Sequence, residues 1–192
     1  MSISEYLEWF ILYIPYKIYG WGVFAFLLVV ALMMVWKGVG RGFRYATAFL
    51  LAEYTALLLY FTVFLHRSEG VRQMVLTPFW SYRAIHQGTR ILIQEHAMNI
   101  AVFIPIGMML GIIMREVVWW KAILVGMGIS ISIEMLQLIL MRGCCETDDV
   151  IHNTLGCLMG YGLYKLTTLV YEKFSIRRLA VLWLFMQTKM RM

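Results

Sequence analysis

Residues 130 to 153 read Ser130-Ile-Ser-Ile-Glu134-Met-Leu-Gln137-Leu-Ile-Leu-Met-Arg142-Gly-Cys-Cys-Glu146-Thr-Asp148-Asp149-Val-Ile-His152-Asn153. Together with the residues from Val118, the part up to Met141 is an apolar run long enough to cross a bilayer, which takes roughly 20 mostly apolar residues. Glu134 lies inside it. A charged group at a helix centre in lipid costs on the order of 3 kcal/mol and is a functional-site hypothesis by default. A knot of charges follows, and a new apolar run opens at Val150. Two spans joined by a short polar hairpin are the simplest reading, and they set the fold class.

Composition agrees. The chain has 192 residues, 61% of them hydrophobic and 15% charged, with mean hydropathy +0.74. A soluble domain is nearer half apolar and a quarter charged. The net charge of +6 comes from basic residues that flank apolar runs and form no stripe. Lipid headgroups therefore explain it better than nucleic acid does. The N-terminus shows no basic n-region and no small-residue cleavage site, so no cleavable signal peptide is expected. Cys144, Cys145 and Cys157 match no zinc or redox spacing. Adjacent Cys144 and Cys145 are read as loop thiols, with a vicinal bridge as the alternative.

Working outward, the apolar runs predict an all-α, polytopic membrane bundle of about five spans: 20–36, 45–65, 97–114, 118–141 and 150–170. Residues 3–15 look like an amphipathic lead-in, with Trp9, Tyr13, Tyr16, Tyr19 and Trp21 as an interfacial belt. The division is 1–171 for the membrane domain and 172–192 for a basic amphipathic tail suited to an anionic surface. The long connection 66–95 carries Leu76-Thr-Pro78-Phe-Trp80-Ser-Tyr82-Arg83. It is too aromatic for an open loop, and an interfacial or re-entrant segment is expected. Lys37, Arg41, Arg44, Arg115, Lys121 and the tail's basic residues place the N-terminus outside and the C-terminus inside.

With that topology the polar groups converge at one depth. Asn99 opens span three, Glu134, Gln137 and Arg142 end span four, and Asp148, Asp149, His152 and Asn153 open span five. Gly126, Ser130, Glu134 and Gln137 share a helix face, as do Asp149, Asn153, Gly156 and Gly160. Gly107/Gly111 and Gly156/Gly160 are small-xxx-small pairs that permit close helix approach. Glu134 can sit there neutral, or ionised and paired with Arg142. Asp148 or Asp149 suits a helix N-terminus as a cap. Pro105 removes one helical bond, freeing the Ala101 carbonyl, and is expected to bend span three.

Four segments carry a resemblance: Leu76-Thr-Pro78-Phe79-Trp80-Ser81-Tyr82, Asn99-Ile-Ala-Val-Phe103-Ile-Pro105-Ile-Gly107, Ser132-Ile-Glu134-Met-Leu-Gln137 with Arg142, and Asp148-Asp149-Val-Ile-His-Asn153-Thr-Leu-Gly156 with Gly160. In order and spacing the chain resembles the VanZ-like membrane proteins over about residues 45 to 170. His152 and the Cys144-Cys145 pair depart from the pattern. The resemblance implies a multi-pass protein of the bacterial cytoplasmic membrane. It also implies a link to glycopeptide resistance, to teicoplanin especially, without specifying a reaction.

The function expected is binding or modification of an envelope amphiphile at the extracytoplasmic face. The partner would be a membrane lipid, a lipid-linked cell-wall intermediate or the glycopeptide itself. If chemistry occurs, Glu134 or Asp149 is the general base or acid and Arg142 holds an anionic group. Asn99, Gln137, Asp148, Asn153, Arg83 and Trp80 are the remaining ligand contacts. No cofactor and no metal are expected, since Glu146, Asp148, Asp149 and His152 lack a standard loop spacing. The alternatives are a proton-coupled transporter or channel that uses Glu134, and a purely structural, helix-locking cluster.

Overall fold

A computed structural model describes residues 41–64, 70–114 and 118–189, with side chains to Lys173. The first expected span and the amphipathic lead-in lie outside the described residues. The chain runs α1 (Arg41–Leu59), a π-helical turn (Tyr60–Phe64), β1 (Gln73–Val75), α2 (Trp80–His86), α3 (Ile91–Met114), α4 (Trp119–Leu140), β2 (Cys144–Glu146) and α5 (Thr147–Lys189).

Among the described residues three helices are long and apolar enough to cross a membrane: Arg41–Phe64, Ile91–Met114 and Trp119–Leu140. They correspond to expected spans two, three and four, and the third starts about a turn and a half earlier than expected. The fifth expected span lies in α5, which is not among the three. His152, Asn153 and Lys165, with three glycines, dilute its apolar character. It still presents Leu155, Met159, Leu163, Leu166 and Leu169 as an exposed stripe at helical spacing. On every long helix large apolar side chains are exposed, which in a helical bundle of this composition is surface for lipid. The chain is an all-α membrane bundle. Helix α5 runs through residue 172 without a break, so the tail begins as a continuation of it.

The packing is closest between α3 and α5. The reason is the small residues. A Cβ placed on Gly107 would overlap the Cys157 carbonyl, and one on Gly156 or Gly160 would overlap the carbonyl of Ile100 or Ile104. The two helices run parallel, backbone against backbone, as the small-xxx-small spacing predicts. Helix α4 lies antiparallel to α5, with Gly126 against Cys157. The core between them holds Phe103, Ile106, Leu110, Ile133 and Tyr161, with Leu58 and Val63 from the α1 side. Helix α3 continues through Pro105. The Tyr54 hydroxyl reaches the neighbouring carbonyl of Val102 at 2.8 Å.

The described part of the 66–95 connection, 70–95, resolves into strand, short helix and the first turn of α3. Strand β1 pairs in parallel with β2, Gln73 with Cys144, Met74 with Cys145 and Val75 with Glu146. This two-stranded clip ties the connection to the α4–α5 hairpin. Nothing in the local pattern signalled it, because each strand is three residues long.

Candidate functional site

One end of the bundle gathers the starts of α3 and α5, the end of α4, and the β1–α2 segment laid over them. The cluster is built in rungs between α4 and α5. In the first rung the Glu134 carboxylate accepts the Glu146 amide at 2.8 Å. One turn deeper, Asn153 donates its side-chain amide to the Ser130 hydroxyl at 2.9 Å. Glu134 and Asn153 are 3% and 5% exposed. Asn153 spends its N–H on Ser130 and leaves its Oδ1 buried without a partner. From α3, Asn99 donates to Asp149 at 2.8 Å. His96, one turn earlier on α3, stacks on His152 with centroids 4.0 Å apart.

The α2 segment is held from below by the same hairpin. Asp148 accepts the amides of Phe79 and Ser81, the latter at 3.0 Å, and also the Ser81 hydroxyl. It thereby caps α2 across space and leaves its own helix uncapped by it. Phe79 stands at φ 61°, a left-handed conformation that is an outlier for a bulky residue. The Asp148 bond to its amide helps hold it there. Trp80 donates its indole N–H to Glu146 at 3.0 Å. The Tyr82 hydroxyl meets His152 Nε2 at 2.9 Å.

The electrostatics at the mouth are acidic. Burial, then the charges of Glu146, Glu95 and Asp148, push Asp149 up to about 7, against which the Asn99 bond works only partly. Burial raises Glu146 too, opposed by the Trp80 and Cys144 hydrogen bonds and reinforced by Glu95 and Asp148. Burial pulls Asp148 upward, but the bonds from Ser81 and Phe79 outweigh it and hold the group below the usual carboxylate range. The half-buried Cys144 thiol is pushed up to about 11, by burial first and then by Glu146.

Of the residues expected at the site, Glu134, Asp149, Asn99, Asp148, Asn153 and Trp80 come together here. Three do not. Arg142 donates to the Phe64 carbonyl at 2.7 Å, and Gln137 donates to the Thr62 carbonyl at 3.1 Å. Both serve the π-wound end of α1, whose carbonyls have lost regular helical partners. Of the two alternatives for Glu134, the pairing with Arg142 is not formed: Glu134 takes the Glu146 amide and Arg142 the Phe64 carbonyl. Arg83 lies exposed on α2. The sequence reading missed Glu146 as a partner of Trp80 and Glu134, named Ser81 and Tyr82 only as part of a motif, and left out His96. His96 stands three residues before Asn99, so helical spacing could have placed it on that face. Among the described residues no group of three or more His, Cys, Asp or Glu is arranged to hold a metal.

The arrangement can accept protons and hold donors. Glu134, Glu146 and Asp149 offer carboxylates, Asn99 orients Asp149, and the Tyr82–His152 pair adds a second proton-sharing contact at the rim. The family model described as VanZ/LLP1 matches residues 49–169, which contain every residue of the cluster. A curated relative, "Protein VanZ" from Enterococcus faecium, is 29% identical over 96 residues, covering 50% of this chain and 55% of that protein. The chain thus spans about half the length of that relative. No solved structure matches.

Proposed function

The chain belongs to the VanZ/LLP1 family, and on that footing we propose that it acts at the extracytoplasmic face of a bacterial cytoplasmic membrane, where its cluster binds the polar head of an amphiphilic or lipid-linked envelope ligand. We further propose, in line with the family resemblance, that this activity contributes to glycopeptide resistance of the teicoplanin type. The observation that supports the reading is Asp149. It is a half-buried carboxylate at the mouth of the cluster, oriented by Asn99 at 2.8 Å, with the unpartnered Asn153 oxygen one turn below it on the same face. A half-buried carboxylate that titrates near neutrality suits a general acid or base, so Asp149 is the group for any proton transfer. Glu134, deeper and held by the Glu146 amide, supports it. Trp80 and the α2 segment cover the cluster.

Arg142 is committed to the end of α1, so its contribution is to shape rather than to direct contact. The N-out, C-in orientation proposed from the basic residues places the cluster outside. The test is Asp149→Asn and Glu134→Gln in a glycopeptide-challenged bacterium expressing the chain. Normal membrane levels with lost tolerance are expected. Normal levels with full tolerance would overturn the reading.

A further inference from the structure

Among the described residues no ion pair links the carboxylates at the mouth to a cation. Glu95, Glu146 and Asp149 act on one another electrostatically, and Glu134 feels both Asp149 and Glu146. Among the described residues the one arginine near this end that makes a side-chain hydrogen bond, Arg142, gives it to the Phe64 carbonyl. The acceptor excess does not stop at the acids. Asn153, 5% exposed, keeps its Oδ1 buried and unpartnered on the face it shares with Asp149. A cluster of acceptors with a spare buried oxygen calls for a donor carrying positive charge.

The rim supplies the rest of such a site. Phe79 and Tyr82 are 56% and 49% exposed, and their rings meet edge to face at 5.9 Å. Tyr82 also lies against the His96 and His152 rings, with centroids at 5.2 and 5.8 Å, and the exposed remainder of such rings beside carboxylates attracts ammonium groups, through the ring quadrupole and the opposite charge together. At Asp149 and Glu146 a phosphate head would meet like charge, which costs several kcal/mol at an interface, while Arg83 and Arg90 stand exposed on the covering segment outside that pair.

We propose that this end of the bundle takes an alkylammonium group, its charge on Asp149 and Glu146 and its chain leaving past Phe79 and Tyr82 into lipid. The inference rests on the cluster being a ligand site and names the class of ligand it selects. The cation is a protonated primary or a quaternary amine carried on a membrane-borne tail, and an anionic phospholipid head is rejected.

The test is equilibrium binding to the full chain in a non-ionic micelle at neutral pH. The probes are radiolabelled dodecylamine, dodecyl phosphate, dodecanol and ethylamine. Saturable binding of dodecylamine is expected, at least about tenfold tighter than dodecyl phosphate. Asp149→Asn and Glu146→Gln should each weaken it by about that factor, while Glu53→Gln, on the exposed side of α1, leaves it alone. Melting curves of each variant separate lost binding from lost fold, and Glu146→Gln carries the test if Asp149→Asn does not fold. Dodecyl phosphate binding as tightly as dodecylamine would overturn the ammonium assignment and leave the ligand site standing. No saturable binding of any dodecyl probe would overturn both. Ethylamine binding as tightly as dodecylamine would overturn the membrane-borne tail.

Discussion

Ser81 meets Asp148 twice, its amide at 3.0 Å from Oδ2 and its hydroxyl on the same oxygen. The two residues are 67 positions apart in the chain, and both are almost completely buried. One carboxylate thus fixes the start of α2 and, through it, the cover of the cluster.

Asp148→Ala leaves the Phe79 and Ser81 amides and the Ser81 hydroxyl without an acceptor. The expected cost is about 3 kcal/mol, concentrated in the segment from 70 to 90. Limited trypsin digestion reads it directly, since Arg83 and Arg90 are exposed there. Faster cleavage at those sites in the variant is expected, and a wild-type digestion rate would contradict the capping role.

The helix contacts make a sharp contrast among glycines. Gly160→Ala drives a methyl into the Ile104 carbonyl, whereas Gly162, two residues on, has nothing within 4 Å of such a methyl. Gly160→Ala should destabilise by about 3 kcal/mol. Gly162→Ala should be neutral or stabilising by up to about 1 kcal/mol, from helix propensity. Melting temperatures in one detergent compare them, and equal values would show that α3 and α5 do not approach as described.

Asp149 makes stability depend on pH in a definite direction. Its folded pKa of about 7 stands above the usual 3.8, so between those values the folded chain binds more protons than the unfolded one. Stability from this group is complete below 3.8 and is lost as pH rises through about 7. Asp148 has the opposite sign, since its pKa is lowered, and its contribution disappears only when pH falls below the ordinary carboxylate range. The ligand-free chain should therefore melt higher near pH 5.5 than near pH 8, about the two sides of that window. Asp149→Asn should flatten the difference, and an unchanged slope would assign the dependence elsewhere.

Cys144 and Cys145 alternate along β2, so their side chains point to opposite faces of the strand. A vicinal bridge would have to break the pairing with Gln73 and Met74. All three cysteines are free. Cys144, half-buried with its thiol held near 11, should label slowly at neutral pH and faster at alkaline pH. Buried Cys145 and Cys157 should wait for unfolding. Mass spectrometry of alkylated protein checks the count, and a product two hydrogens short with one alkylated site would restore the bridge.

Helix existence and the close α3–α5 face were legible because both depend on periodicity within one segment. Gly156 and Gly160 announce a near neighbour wherever that neighbour comes from. The convergence of Asn99, Glu134, Asp149 and Asn153 followed from chain direction alone. What the sequence hid were partners chosen across long separations. Arg142 looked like an anion holder because it is basic and near acids, yet the π-wound end of α1 offers it a carbonyl 78 residues away in the chain. Asp148 looked like a local cap, and its carboxylate went to another helix. Short strands such as β1 carry too few residues for alternation to be read.

The parallel clip of β1 with β2 has a consequence for biogenesis. Gln73 waits for Cys144, and Ser81 for Asp148, so the covering segment is made well before the residues that clip and cap it, with only the His96 ring of α3 close behind it. Helices α3 and α4 must both be inserted first, and only the onset of α5 closes the structure. A ribosome stalled before that point would leave the polar cluster half-built and its cover loose. Completion of the site is in this sense a checkpoint on synthesis of the last helix.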